Sequence, residues 1–222
     1  MVGTRWLVLL AGVLLGLACN KGDPAPAKGV TPSGVRLQAA QKIAAAPISI
    51  QIPRGWVFER MEGSDAPEKE GPPPGVIDLS ESIEVWKATR PSPTGRVDPF
   101  VTISVDRRLP KGTTLMKYME TLRADQSRHG LRIKHLDTER IERDGRMGYS
   151  VRDSMEMPLP GGGGVPVLQV ARIFVNGTTG VTVTGMFLFD DKDVVDMEVR
   201  AILESIKFTG PLPKNDTEQF VP

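Results

Sequence analysis

Residues 133–157 read IKHLDTERIERDGRMGYSVRDSMEM, and residues 165–189 read VPVLQVARIFVNGTTGVTVTGMFLF. Each stretch carries a turn dipeptide near its centre, Asp144-Gly145 in the first and Asn176-Gly177 in the second. These dipeptides favour type I′ hairpin turns, in which both central residues need a positive φ. The pattern predicts two antiparallel hairpins. Residues 167–175 are apolar on both faces, which places that strand in the middle of a sheet.

Two amphipathic helices are predicted outside these hairpins. Residues 113–129 place Leu115, Met119 and Leu122 at i, i+4 and i+7, with a threonine at 113 or 114 as N-cap and Gly130 as the end. A second helix is predicted from Asp191 to Ser205, with Asp190 as its N-cap. Its apolar stripe is formed by Val195, Val199, Ile202 and Ile206. Both stripes need a sheet face to pack on.

The first half of the chain predicts shorter elements and two long loops. Short strands are expected over 48–52, 56–58, 83–88 and 100–106, and the Ala-rich residues 35–46 are interpreted as a short helix. Residues 62–75, with three consecutive prolines, and residues 89–99 read as loops. Long loops often carry function, so both are candidate interaction sites, although tolerated insertions would look the same.

The N-terminus resembles a bacterial secretory leader. Arg5 precedes a twelve-residue apolar run from Leu7 to Ala18, whereas a membrane-spanning helix needs about 20 residues. Residues 15–19, Leu-Gly-Leu-Ala-Cys, resemble a lipobox, which implies lipid attachment at Cys19. Gly16 departs from the large aliphatic residue usual there, and ordinary cleavage after Ala18 is the alternative. Asn20 resembles the outer-membrane sorting pattern of Gram-negative lipoproteins.

These features predict a division of the chain. Residues 1–18 are the signal peptide, 19–46 the lipidated Cys19 and a flexible tether, 47–209 the folded domain, and 210–222 a flexible tail. Without Arg5, the 28 basic residues become 27, equal to the 27 acidic ones. A neutral balance argues against a nucleic-acid partner, whose phosphates require a basic surface. With one cysteine in the chain, an internal disulfide is impossible.

Several motifs resemble reactive sites but lack essential parts. The glycines 161–164 lack the Lys-Ser/Thr of a phosphate loop. The aspartates from Asp190 to Asp196 do not have EF-hand spacing and are interpreted as helix capping. His129 and His135, the only histidines, lack the spacing of a zinc site. The sequence around Ser150 resembles the Gly-x-Ser-x-Gly nucleophile elbow but has Arg152 in place of the last glycine, and Ser150 lies inside a strand with an alternating pattern. No catalytic, metal or cofactor site is therefore predicted.

The order of elements resembles the PsbP-like proteins, which include DcrB-type bacterial lipoproteins and Mog-type nuclear-import factors. The opening phrase is Ile50-Gln-Ile-Pro-Arg-Gly-Trp56, followed by a helix and two long hairpins, and the closing phrase is Ile202-Leu-Glu-Ser-Ile-Lys-Phe208. The resemblance implies an α+β fold, a central antiparallel sheet flanked by helices in an α/β/α sandwich. It also implies an accessory or binding role, and it carries over no ligand residues.

The sequence thus predicts a non-enzymatic, lipid-tethered binding module of the cell envelope. Its expected partners are the membrane, through lipid on Cys19, and an unidentified envelope protein, with an outer-membrane location facing the periplasm or the cell surface. One alternative is a small-molecule or lipid carrier, with an apolar cavity lined by Met155, Met157 and Phe187. A second alternative is a hydrolase that uses Ser150 or a carboxylate pair.

Overall fold

The computed structural model describes residues 34–43, 46–61, 77, 83–128, 132–158 and 163–210. In chain order, the strands are β1 (Gln41–Ile43), β2 (Ile48–Ile50), β3 (Val57–Arg60), β4 (Ile83–Thr89), β5 (Phe100–Asp106), β6 (Ile133–Arg143), β7 (Arg146–Pro158), β8 (Gly164–Asn176), β9 (Thr179–Leu188) and β10 (Lys207–Phe208). Helix α1 (Leu115–Arg128) follows β5, and α2 (Lys192–Glu204) follows β9 after a short 3₁₀ turn, Phe189–Asp191.

Seven of these strands form one antiparallel sheet in the order β3-β4-β5-β9-β8-β7-β6. Both predicted hairpins are present, as β6–β7 and β8–β9, and β8 lies inside the sheet as expected. The first turn has positive φ at Asp144 and Gly145 (50° and 74°), as a type I′ turn requires. In the second, Asn176 pairs with Thr179 and only Gly177 has a positive φ, 65°. That turn is therefore of the II′ kind, with glycine in its first central position.

One face of this sheet, called here the α2 face, is covered by α2 and by a small sheet of order β1-β2-β10. The predicted α2 stripe is confirmed, because all four of its members are buried against the sheet. Gly185 on β9 allows close packing, since a Cβ there would lie 2.3 Å from Val199 Cγ1. The residues that fill this layer include Ile50, Trp86, Val101, Ile103, Phe174, Val183, Val199 and Ile202.

The opposite face, called here the α1 face, is covered in part by α1. Its apolar contacts join Leu115, Tyr118 and Met119 of the helix to strand residues of β7 and β8: Tyr149, Val151, Ala171, Ile173 and Val175. Thr114 caps the helix as predicted, because its Oγ1 accepts a hydrogen bond from the Lys117 N–H at 3.2 Å. The antiparallel sheet is therefore confirmed with helices on both faces, although α2 shares its face with a second sheet.

Two local predictions are wrong. The described residues of this segment, 35–43 and 46, do not form the expected helix; Gln41–Ile43 is a strand, and Leu37 and Ile43 are buried. Structured residues therefore begin before position 47, because the apolar side chains of this segment pack on the domain. Asp190 is not the N-cap of α2. The cap residue is Asp191, which makes no side-chain cap hydrogen bond, since its carboxylate accepts from Ser92 Oγ at 2.8 Å instead.

Candidate functional site

A groove runs between α1 and the strands beneath it on the α1 face. Helix α1 contributes Met119, Leu122, Arg123 and Gln126 as one wall, and β7, β8 and β9 contribute the floor. The floor residues are Val151, Asp153, Gln169, Ala171, Ile173, Thr182 and Thr184. The cavity volume is about 40 Å³, which is room for one or a few water-sized groups.

Gln169 is the most informative residue of this floor. It lies on the interior strand β8 with 6% of its surface exposed. Its carboxamide makes no hydrogen bond to any residue that the structure describes, whereas buried amides are normally hydrogen-bonded. No atom of this carboxamide is both enclosed and unsatisfied among the described residues, so the amide can stay at the groove without the full cost of a buried orphan group. A water molecule or a polar group that enters the groove can hydrogen-bond to it.

The rim of the groove is a connected chain of polar side chains. Asp153 is buried, and one of its carboxylate oxygens lies 2.9 Å from His135 Nδ1. Because a carboxylate only accepts, Nδ1 donates in this contact, and Nε2 lies 3.1 Å from the Thr138 hydroxyl. Arg123 Nη2 donates to the Thr138 oxygen at 3.0 Å. The chain of contacts thus ties α1 to β6 and β7.

A β-bulge makes this rim possible. The β6–β7 register shifts between His135 and Asp137, so His135 pairs with Asp153 and Thr138 pairs with Val151. His135 and Thr138, an odd number of residues apart, consequently reach the same face of the sheet. The alternation of the sequence alone would have placed them on opposite faces, which is why this cluster was not predicted.

Tyr118 holds the N-terminal half of α1 against the sheet. Its hydroxyl hydrogen-bonds the buried carboxylate of Asp106, and it lies 3.3 Å from the Thr182 hydroxyl. Burial raises the pKa of Tyr118 far above its ordinary value, and the neighbouring Asp106 charge raises it further. Gly180 leaves the space for this ring, because a Cβ there would lie 2.4 Å from Tyr118 Cζ. The helix position, and with it the groove, depends on this contact.

The predicted interaction loops have different outcomes. Residues 62–75 lie outside the described residues, as do Cys19 and His129. The 89–99 loop is tied to the start and middle of α2. Arg90 pairs with Glu198 at 2.5 Å, Arg96 pairs with Asp190 at 2.9 Å, and Ser92 donates to Asp191. These contacts give the loop a structural role in fixing α2.

The apolar cavity expected for a carrier is not formed by the predicted residues. Met155 packs with Val167 and Leu188 on the α1 face, whereas Phe187 packs with Leu168 on the α2 face. Because the sheet separates them, they cannot line one cavity. Ser150 lies in mid-strand on β7, paired with Glu139 on β6 and with Arg172 on β8, as its alternating pattern indicated.

The acidic run at α2 serves packing and pairing. Asp191 is buried at the cap, and Asp196 pairs with Arg200 at 2.9 Å and with Arg152 at 3.7 Å. Across the described ranges, no group of three or more His, Cys, Asp or Glu side chains could hold a metal ion. Within the same ranges, no helix has the length and apolarity needed to span a membrane. The final two glycines of the 161–164 run lead into β8, and Gly163 has a positive φ of 79°.

The fold is similar to that of a solved PsbP structure. The solution structure of cyanobacterial PsbP (CyanoP) from Synechocystis aligns with a TM-score of 0.52 at 14% identity, covering 86% of this chain and 97% of that one. The Saccharomyces cerevisiae Ran-binding protein Mog1p aligns with a TM-score of 0.45 at 10% identity, covering 84% and 100% of the two chains. The chain has a PsbP-like fold. No family model and no curated protein matches the sequence. Similarity at this level establishes the fold and leaves the function to the site.

Proposed function

We propose that this protein is a membrane-tethered lipoprotein that acts as a non-enzymatic binding module in the cell envelope, and that the α1 groove is where it binds. The observation that carries the binding role is the Gln169 carboxamide, which belongs to a buried residue, lines the groove and makes no hydrogen bond to any described residue. A polar partner group that enters the groove can donate to this amide or accept from it.

The dimensions of the groove favour a protein partner over a carried small molecule. Sites for drug-sized ligands enclose roughly 300–1,000 Å³, and the groove volume is about 40 Å³. This volume fits the tip of one polar side chain, with the rim formed by Arg123, His135 and Thr138 beside it. A PsbP-like fold is compatible with such an accessory role. The proposed occupant is a polar side chain of another envelope protein.

The tether is supported by the sequence of the leader, which ends in Leu-Gly-Leu-Ala before Cys19. Two or more acyl chains on this cysteine would hold the domain at a membrane stably. Changing Cys19→Ala should move the protein from the membrane fraction to the soluble fraction in the native cell. Unchanged partitioning would contradict lipidation and leave the groove proposal standing.

The binding site is tested with a photo-crosslinking amino acid placed at position 126 in the native cell. Gln126 lines the groove, whereas Ala124, two residues away, is exposed on the other side of the helix. Neighbours at this spacing point about 200° apart, so position 124 is a matched control. We expect a discrete adduct from 126 and none from 124. Equal labelling from both positions, or none from either, would contradict the groove as the binding site.

A hydrolase is the second candidate, because the rim orders a hydroxyl, an imidazole and a carboxylate. Thr138 Oγ1 lies 3.1 Å from His135 Nε2, and His135 Nδ1 lies 2.9 Å from Asp153. This is the order in which a nucleophile, a base and an orienting group act. However, the imidazole is half-exposed at 46%, and Arg123 occupies the Thr138 oxygen. Ester hydrolysis that is absent in His135→Gln and present in the unchanged protein would favour this candidate over a binding module.

A further inference from the structure

Arg172 interrupts the apolar pattern of an interior strand. Its neighbours on β8 that share the α2 face, Leu168, Val170 and Phe174, are all buried and apolar. Arg172 lies between Val170 and Phe174 in this row, is half-buried, and has Val183 directly across on β9. Arginine at such a position is normally paired with an acid or another acceptor.

Arg172 has no such partner in the part of the chain that the structure describes. It makes no hydrogen bond there and no ion pair within 4 Å, and its Nε is buried and unsatisfied. Burial lowers the pKa of Arg172, and the nearby Arg143 lowers it further. The two carboxylates that act on it electrostatically, Glu204 and Glu139, do so without a direct contact. With respect to the described residues, the guanidinium therefore has donors without acceptors.

Two neighbouring arginines on the same face have an acidic partner, in contrast to Arg172. On the same face, Arg152 of β7 and Arg200 of α2 share the carboxylate of Asp196, at 3.7 Å and 2.9 Å. Both contacts use Oδ2 of Asp196, and no oxygen of this carboxylate lies within 4 Å of the Arg172 guanidinium. Arg172 lies one strand further into the sheet and is left without an acid.

Ser150 provides a second donor at the same place. It pairs directly with Arg172 across β7 and β8, so their Cβ atoms lie about 4.5–5.5 Å apart on one face. Its side chain is partly exposed, and its hydroxyl makes no hydrogen bond to any described residue. The guanidinium of Arg172 and the hydroxyl of Ser150 thus lie side by side on the α2 face, at a partly exposed position.

We propose that Arg172 and Ser150 form an anion site that takes a single carboxylate. The planar guanidinium matches the two oxygens of a carboxylate in a bidentate pair. The charged groups around Arg172 are Arg143, Arg200, Glu204 and Glu139, with Arg152 and Asp196 on the same face. Together with Arg172, these four cations and three anions leave one positive charge, which suits a monoanion better than a doubly charged phosphate. This site is on the opposite face from the groove and does not rest on the proposed function.

The test is a titration of the purified, ¹⁵N-labelled full-length chain at constant ionic strength, followed by NMR of the Arg172 Nε–H and the Ser150 amide. The probes are sodium acetate, the capped peptide acetyl-Ala-Glu-Ala-amide, inorganic phosphate and chloride. We expect saturable shifts with both carboxylates. Ser150→Ala should weaken acetate binding by about 10-fold or more, the equivalent of one hydrogen bond to a charged acceptor.

Controls separate the site from a general effect of charge. Arg172→Gln should abolish the saturable shift at Ser150, whereas Arg96→Gln, the same change at an exposed ion pair, should not affect it. Tighter binding of the peptide than of acetate would identify a protein side chain as the source of the carboxylate, and equal binding a small carboxylic acid. Linear shifts that never saturate, or shifts of the same size with phosphate or chloride, would overturn the proposal.

Discussion

The two faces of the large sheet are covered in different ways. On the α2 face, the helix is held by fully buried apolar side chains such as Val199 and Ile202, with a second sheet beside it. On the α1 face, the helix is held near its start by the Tyr118–Asp106 hydrogen bond, and its later residues border a polar groove. The comparison indicates that the α2 face maintains the fold, while the α1 face has groups available for a partner.

The largest effect should come from a truncation on the α2 face. Ile202→Ala removes a fully buried side chain and should lower the free energy of unfolding by about 3 kcal/mol. Leu122→Ala, on the partly buried side of α1, should lower it by only about 1 kcal/mol. Urea denaturation of both variants measures the difference. Similar losses for the two would remove the distinction between the faces.

The next effect is specific to the α1 face and depends on pH. Tyr118→Phe removes the hydroxyl that donates to the buried Asp106 carboxylate and should cost about 2 kcal/mol near neutral pH.

The pH dependence has a defined sign. The unfolded Tyr118 loses its proton near its ordinary pKa of 10.0, whereas the folded side chain keeps it because its pKa is raised. The stabilisation is therefore fully present below pH 10 and is lost above it, by about 1.4 kcal/mol per pH unit. Denaturation at pH 9 to 11 should show a decline that is shallower in Tyr118→Phe. Parallel curves for the two proteins would contradict the assignment.

A smaller effect tests how α2 is tied to the 89–99 loop. Glu198 accepts from Trp56 Nε1 at 2.8 Å and from Arg90 at 2.5 Å, in a partly buried setting. Glu198→Gln should cost about 1–2 kcal/mol. Asp190→Asn, which breaks the exposed pair with Arg96, should cost less than about 0.5 kcal/mol. Thermal unfolding that ranks the two variants in the reverse order would show that the loop is fixed in another way.

The smallest effect on stability is expected at the groove itself. Gln169→Leu replaces an amide that makes no hydrogen bond to any described residue with an apolar group of similar size, so the free energy of unfolding should stay within about 1 kcal/mol or rise. Denaturation by urea measures this change. A loss of several kcal/mol would mean that the amide supports the fold, in which case it would not be a group kept for a partner.

The fold could be predicted largely from local pattern. Asp144-Gly145 marks its hairpin because the turn needs positive φ at both residues, and the spacing of Val195, Val199 and Ile202 marks the buried side of α2. The position of the second turn was predicted correctly, but its turn type was not. The helix predicted for the Ala-rich segment was wrong because Ala favours a helix in isolation, whereas pairing with β2 makes Gln41–Ile43 a strand.

The candidate site could not be predicted in the same way. His135 and Asp153 are 18 positions apart, and only the bulge in β6 brings both to the α1 face. Gln169 looks like an ordinary polar interruption of an apolar strand until its surroundings are known. Its lack of a partner depends on which side chains the fold places around it, and one sequence does not contain that information directly. The same holds for Arg172.

The most direct test of the account is the crosslink from position 126 in the native cell, repeated with Gln169→Leu in the same chain. The groove account predicts a discrete adduct that disappears when Gln169 is changed, although the variant remains folded. An adduct of unchanged intensity in the Gln169→Leu protein would contradict it, because the partner would then be bound without the group that the α1 face keeps available.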